Sequence, residues 1–374
     1  MNKCVIDVPT LLPPAWKLAD DHGVQACSVL HKRDKHKNVS VMVNKWSNYF
    51  LNLTEKFKPD LYTMNTSYAC HETFSEGFAS NIHRILNYKV MRNAPCIVQD
   101  FAVNRRKFIR DRSLSLGNRL IFPVIVTASS SDHFYETQAL LWSINARLRP
   151  LFHNIKVVLY DIGFTESESQ RMRDNCGCEV RKFDFDSFPE HVRDAKTYAW
   201  KPLVILEAIY EFEFIVWVDA SIRFKGYRSD WKKLLEKARE TGILLQQNPK
   251  WKVKDQTKPD TFRILEEPEC LFDYPELESG WILIQRNWFT MNVIIQPWCA
   301  CALTKHCLTH PFPTYLKSCS KDLWKFLMNT RCHRFDQSVL NIILIRIFNK
   351  YRKLVEFDRS SLGTIERGTF RHTF

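Results

Sequence analysis

One pattern constrains this chain more than any other. From Leu120 onward, short apolar runs that each stop in a polar cluster alternate with stretches of helical periodicity. Leu120-Ile-Phe-Pro-Val-Ile-Val126 is continuously apolar, as in a strand covered on both faces, and it stops in Thr127-Ala-Ser-Ser-Ser-Asp132. Phe134, Leu141, Ile144 and Leu148 then share one helical face. Ile155-Lys-Val-Val-Leu-Tyr160 predicts a second strand ending at Asp161-Ile-Gly163, and Thr165 with Glu168 has the spacing of a capping box for the next helix. Glu179-Val-Arg-Lys-Phe183 predicts a third strand. A helix is expected from Tyr198 to about Tyr210, with Pro202 tolerated in its first turn. Phe212-Glu-Phe-Ile-Val-Trp-Val218 predicts a fourth strand that ends at Asp219-Ala-Ser221. Such alternation requires right-handed crossovers, hence an α/β fold: a mainly parallel sheet with helices on both faces. In these sheets ligands bind outside the carboxyl ends of the strands. Three of those ends carry Ser129 to Asp132, Asp161 and Asp219, so one polar edge is expected.

The loop after the first strand narrows the chemistry by what it lacks. A dinucleotide site needs its glycine fingerprint there, and a P-loop needs glycines followed by Lys and Ser or Thr. Residues 127–132 contain no glycine, and no Gly-x-Ser-x-Gly elbow or His-Glu-x-x-His helix occurs anywhere. What remains is a set of hydroxyls, carboxylates and aromatics. That set suits ribose and sugar hydroxyls, and a diphosphate neutralised by a metal ion or by Lys and Arg.

Phe214-Ile-Val-Trp-Val-Asp-Ala-Ser221 resembles the Asp-x-Asp segment of glycosyltransferases of the GT-A fold, where an apolar strand delivers a carboxylate to the metal-bound diphosphate of a nucleotide sugar. Glu278-Ser-Gly-Trp-Ile-Leu-Ile284 resembles their strand lining the sugar and acceptor pocket. Phe335-Asp-Gln-Ser-Val-Leu-Asn341 is similar to the Asp-Gln helix start of glycogenin-like transferases. Tyr198 and Lys201 stand where those enzymes set a Tyr and a basic residue against the donor phosphates. The resemblance covers roughly residues 120–345. Thr127 to Phe134, taken with Tyr160 to Gly163, is also similar to an uncharacterised, nematode-rich family, DUF1647.

The resemblance implies a GT-A-like hexosyltransferase that moves a sugar from a nucleotide-diphosphate donor to a glycan, protein or lipid acceptor, with Mn²⁺ or Mg²⁺ at Asp219. Thr127, Ser129, Ser130 and Asp132 would hold base and ribose. Tyr198, Lys201, Asp219, Ser221, Gly280 and Gln337 would complete the donor site. Glu278 and Asp336 are the catalytic candidates, either serving as general base if the reaction inverts. Trp200 and Trp281 are each a core residue or a sugar platform. Two departures matter. Ser221 stands where the second acid belongs, and a hydroxyl is the poorer ligand for a hard cation. The late metal-binding His has only His372 to match it. A catalytically inactive GT-A-like binding or scaffold module is therefore the alternative.

The flanks read differently. Residues 1–118 show weak periodicity and a short helix near Phe78 to Tyr88, so they are expected to form an irregular stem or lid. Residues 119–350 would be the nucleotide-sugar domain and 351–374 a C-terminal tail. Of the net charge of +13, residues 1–117 carry 17 Lys/Arg against 10 Asp/Glu, or +7, which leaves +6 for the rest. A basic polyanion binder stays open, but zinc-finger spacing and a basic region leading into heptads are both missing, so no specific nucleic-acid partner is expected. Twelve cysteines and the sequons Asn38-Val-Ser40, Asn52-Leu-Thr54 and Asn65-Thr-Ser67 point to the Golgi or another secretory lumen. No run approaches the roughly 20 apolar residues of a membrane helix, so a membrane anchor is not visible. Cys299, Cys301, His306 and Cys307 match no strong zinc spacing, and disulfides or buried thiols are the reading.

Overall fold

The structure is a computed structural model that describes residues 35–62, 70–92, 122–309 and 332–368. A seven-stranded sheet runs in the order β3-β2-β1-β4-β7-β6-β8. β1 (Val124–Ser129), β2 (Val157–Asp161), β3 (Glu179–Lys182) and β4 (Phe214–Val218) are parallel. β7 (Pro275–Gln285) runs against β4 and β6 (Ile243–Lys252), and β8 (Glu356–Phe357) is parallel to β6. This is the mainly parallel sheet that the apolar alternation predicts. Strand order turns back between β1 and β4, which opens a crevice at their carboxyl ends.

Three helices follow strands in the N-terminal half of the sheet. α4 (Phe134–Ser143) continues through a wider turn over Ile144–Leu148, α5 (Glu166–Asn175) follows β2, and α6 (Trp200–Glu211) leads into β4. The capping box of α5 is formed: the Glu168 amide donates to Thr165 Oγ1 at 3.2 Å, and the Thr165 amide donates to the Glu168 carboxylate at 2.9 Å. Apolar alternation along β1 divides the core. Val126 and Ala128 join one cluster with α6, while Ile125 joins the other with α4.

The N-terminal region supplies α1 (Lys35–Phe57), α2 (Phe78–Leu86) and the single turn α3 (Lys89–Arg92). Phe50 of α1 and Phe78 and Ile82 of α2 are buried in the same cluster as α6. A Cys70–Cys270 disulfide and a hydrogen bond from Tyr88 to the buried Glu267 carboxylate, which Arg346 also holds, fasten them there. α7 (Arg228–Thr241), the short α8 (Pro259–Ile264), α9 (Gln296–Leu303) and α10 (Asp336–Phe348) are the other α-helices among the described residues.

The segment read as a C-terminal tail adds β8 to the main sheet and β9 (Gly363–Ile365), which pairs antiparallel with β5 (Ile222–Phe224). Cys176–Cys178 and Cys301–Cys307 are disulfides, Cys332 is also disulfide-bonded, and Cys299 is a buried thiol. No described helix is long and apolar enough to cross a membrane.

Candidate functional site

A bulge in β7 builds the site. Leu245 of β6 pairs with Ile282, but the next residue, Gln246, pairs with Glu278, so residues 279–281 bow out of that ladder. A bulge re-aims side chains. Here Leu277 and Ile282 join one core cluster while Trp281 joins the other. The bowed stretch brings Gly280 against the end of β4: the Asp219 amide donates to the Gly280 carbonyl at 2.8 Å. A Cβ on residue 280 would sit 2.9 Å from Asp219 Oδ2, so only glycine lets that carboxylate lie on the strand. Gly280→Ala is expected to turn the carboxylate outward and to remove any binding that depends on Asp219, while the fold loses about 1 kcal/mol, since a half-exposed acid can turn to water. Donor titration together with urea denaturation checks it; unchanged binding would separate Asp219 from the ligand.

Asp219 is held from the other side. Lys201 Nζ, on the first turn of α6, lies 3.0 Å from Asp219 Oδ1, and the Trp217 indole N–H donates to the same oxygen at 3.0 Å. The ammonium also lies 3.2 Å from Asp336 Oδ2 and donates to Ser279 Oγ at 3.3 Å. Ser279 Oγ in turn donates to Asp336 at 2.7 Å. Lys201 is only 2% exposed, yet the two carboxylates outweigh the burial that opposes its charge and hold its pKa above the usual lysine value. Asp219 keeps a side chain 42% exposed, whereas Asp336 is buried at the start of α10, where a helix N-terminus favours an anion.

The Asp-Gln…Asn segment has a plain physical role. Beyond the end of β4, one edge of β7 has no neighbouring strand, and buried backbone groups need partners. Asn341 takes that place: the Leu277 amide donates to Asn341 Oδ1, and Asn341 Nδ2 donates to the Leu277 carbonyl, both at 2.7 Å. The Ser279 amide donates to Gln337 Oε1 at 3.2 Å.

Glu276 and Glu278 share the opposite face of β7. Glu278 accepts from Gln246 Nε2 at 2.7 Å, and burial lifts its pKa while Arg359, Arg334 and Arg367 pull it down. Glu276 is fully buried and is pushed up to about 7 by burial, against the pull of Arg334 and Gln337.

The C-terminal segment walls this edge. β9 runs along β5, the Glu366 amide donates to the Ser221 carbonyl at 2.8 Å, and the Gly368 amide donates to Glu136 of α4 at 2.7 Å. Arg367 lies between those two anchors and is exposed.

The loop after β1 divides. Thr127 and Ser129 are buried, and Ser129 Oγ accepts from Thr137 of α4 at 2.6 Å, so both pack inward. Ser130 is half-buried and Asp132 exposed. Asp161, opposite Ser129 in the sheet, spends Oδ1 on the amides of Gly163 at 3.0 Å and Phe164 at 2.8 Å, bordering a cavity of about 300 Å³. Tyr198 adopts a left-handed conformation (φ 57°) with its ring 5.9 Å from that of Phe335, beside Asp336. Trp281 is core: it is fully buried against Phe224, Trp231 and Phe357. Trp200 is likewise buried, with its indole N–H on the Ala195 carbonyl. His372 lies outside the described residues.

The described residues do not fit a divalent ion on their own. Asp219 Oδ1 is taken by Lys201 and Trp217, Ser221 offers a hydroxyl, and no group of three acid, His or Cys ligands converges among the described residues. Sequence reasoning missed Ser279, Glu276, Arg334, Arg359 and Arg367. Ser279 sits inside a motif that was read for its flanking acid and glycine. The arginines come from segments without periodic signal.

Among solved structures, the chain is similar to the galactosyltransferase LgtC in complex with donor and acceptor sugar analogues, at 15% identity over 58% of this chain and 69% of that one, with a TM-score of 0.34. It is similar to the glycosyltransferase GlyE of Streptococcus pneumoniae TIGR4 at 11% identity over 64% of this chain and 46% of that one, with a TM-score of 0.36. Mouse xyloside xylosyltransferase 1 is similar at 11% identity over 64% of this chain and 85% of that one, again with a TM-score of 0.36. No curated protein matches the chain. Residues 112–206 match the family described as "Protein of unknown function (DUF1647)", and the chain is an α/β protein with a seven-stranded, mainly parallel sheet.

Proposed function

We propose that the chain transfers a glycosyl group from a nucleotide-diphosphate sugar to a hydroxyl of a glycan, protein or lipid acceptor. The observation that carries the reading is Asp219, a half-exposed carboxylate at the crevice between β1 and β4, fixed by Lys201 and Trp217 and laid over Gly280. Disulfides and sequons support work in an oxidising lumen such as the Golgi.

In the reaction, the acceptor oxygen bonds to the anomeric carbon as the bond from that carbon to the diphosphate breaks. The electron pair leaves with the diphosphate, and the acceptor proton passes to a base. Charge growing on the leaving group is what fixed cations stabilise. Arg334, Arg359 and Arg367, all close enough to act on Glu278, would meet that charge, with no step assigned to a metal ion. Asp219 would accept hydrogen bonds from ribose or sugar hydroxyls. Of the two acids, Asp336 already accepts from Lys201 and Ser279, whereas Glu278 keeps a raised pKa at a half-buried position. Glu278 is thus the better base for an inverting reaction.

The test is titration of UDP- and GDP-sugars with and without Mn²⁺. Wild type is expected to bind without the ion, and Asp219→Asn to bind at least about ten-fold more weakly, the loss of one charge-assisted hydrogen bond. Ser221→Asp should weaken binding without Mn²⁺, by placing a second carboxylate beside the diphosphate, and tighten it with Mn²⁺, by supplying a second ligand. Binding that is strictly Mn²⁺-dependent in wild type would overturn the assignment of the charge to arginines. No binding in either condition would favour an inactive scaffold, the reading that Lys201 closed onto Asp219 also suits.

A further inference from the structure

A second cavity lies at the opposite edge of the sheet from Asp219. A cleft of about 900 Å³ opens between α1 and the loops at the amino end of β4 and the carboxyl end of β7. That volume is at the upper end of the range for small-molecule sites, about 300–1,000 Å³. One wall is a stripe of α1: Lys45, Asn48, Tyr49 and Asn52, spaced i, i+3, i+4 and i+7 and so stacked on one helical face. The neighbouring face, with Val43, Phe50 and Leu53, is buried in the core and fixes the stripe's direction. Gln285, Arg286, Asn287 and Arg239 form the facing wall. Tyr49 is held by its hydroxyl, which donates to the Glu240 carbonyl at 2.8 Å, and Lys56 pairs with the Glu240 carboxylate at 2.6 Å, so the cleft rim is tied to α7.

The lining is carbohydrate chemistry. The side-chain amides of Asn48 and Asn52 both donate and accept, matching hydroxyls that do the same, while on the facing wall Gln285 donates to Glu213 at 3.4 Å and Arg286 to the Ile209 carbonyl at 3.3 Å. An aromatic flank offers area to the apolar faces of sugar rings. Asn52, on the cleft wall, heads the sequon Asn52-Leu-Thr54 and is exposed. The Cys70–Cys270 and Cys301–Cys307 disulfides mark a chain that folds where such asparagines are modified. We propose that Asn52 carries an N-linked oligosaccharide whose core seats in this cleft, bridging α1 to the amino edge of the sheet. Because the glycan is tethered, individually weak contacts suffice to hold it: the effective concentration of a short tether is millimolar or higher. The proposal stands apart from the transferase reading, since it concerns the other edge of the sheet and no donor.

The experiment uses the full chain made with a secretory leader in eukaryotic cells. Glycopeptide mass spectrometry reads occupancy, and release by peptide-N-glycosidase is timed on folded and on denatured protein. Asn52 should be occupied, and its glycan should be released from the folded chain about ten-fold or more slowly than from the denatured chain, the factor reporting the seated fraction. Thr54→Ala, which removes the sequon but keeps Asn52, should lower the melting temperature, whereas Asn38→Gln, on the exposed start of α1, should not. A bare Asn52 overturns the proposal, as does equal release from folded and denatured protein. Should Asn52 be bare while added free oligosaccharide binds, the cleft serves an outside glycan and the tethered form falls.

Discussion

Lys201→Met is expected to destabilise the protein by about 3–5 kcal/mol, the cost of leaving a buried charge without its partner. The ammonium neutralises Asp336, a buried acid, as well as the half-exposed Asp219, and no other cation is within ion-pair distance of Asp336 among the described residues. Most of the loss is assigned to Asp336, because a half-exposed acid such as Asp219 is partly screened by water. Methionine keeps the length of the side chain, so packing changes little and the charge is what is tested. Adding Asp336→Asn to Lys201→Met should recover much of the loss, since the orphaned anion is then gone. The raised pKa of Lys201 fixes the pH window. A cation whose folded value lies above its unfolded value stabilises fully below the ordinary lysine range and loses that contribution only as pH rises through the folded value. Urea denaturation of wild type and variant at pH 6 and pH 9 should therefore give the same difference. A loss below about 1 kcal/mol, the level of a surface pair, would mean that Asp336 is neutralised by something else.

Glu276→Gln should stabilise the protein, and only above mildly acidic pH. Its folded-state pKa of about 7 arises mainly from burial, against about 4.3 for the unfolded chain. Between those values the folded protein keeps a proton that the unfolded chain has released, so the Glu276 contribution falls as pH rises through that interval. The penalty at pH 8 is on the order of 3 kcal/mol. Glutamine stays neutral throughout, so its advantage should grow from near zero at pH 4 to that amount at pH 8. Parallel stability curves for wild type and variant from pH 4 to 8 would show that Glu276 is not held protonated by the fold. Should the Gln variant also lose donor binding, the acid is kept for the ligand at a cost in stability, a trade found at functional sites.

Much of the sheet was legible because its signals are local. A strand covered on both faces is a run such as Phe214 to Val218, and a capped helix announces itself at Thr165 and Glu168. Both can be read in a window of ten residues. The polar ends of β1, β2 and β4 were legible for the same reason, although their uses were not. Ser129 and Asp161 look identical, as loop hydroxyl and loop acid, to Ser130 and Asp132, yet the first two are spent on α4 and on a turn. Spending depends on what packs above the loop, which no window contains. Trp281 shows the same limit, since either face of a strand accepts tryptophan until a bulge decides which face it joins.

The fold class, and the polar residues at the strand ends with Asp219 among them, could be read from the chain alone, because period and strand termination are properties of neighbours along it. How that acid is held depends on packing. Lys201, Ser279 and Asp336 come from three elements as far apart as 135 positions. The bulge that brings Gly280 under Asp219 arises from pairing between β6 and β7, and the arginines arrive on segments with no periodicity to read. Charges and hydroxyls carry no address in sequence. Their partners are chosen by which backbone ends the packed core leaves side by side, and that is settled when the layers close.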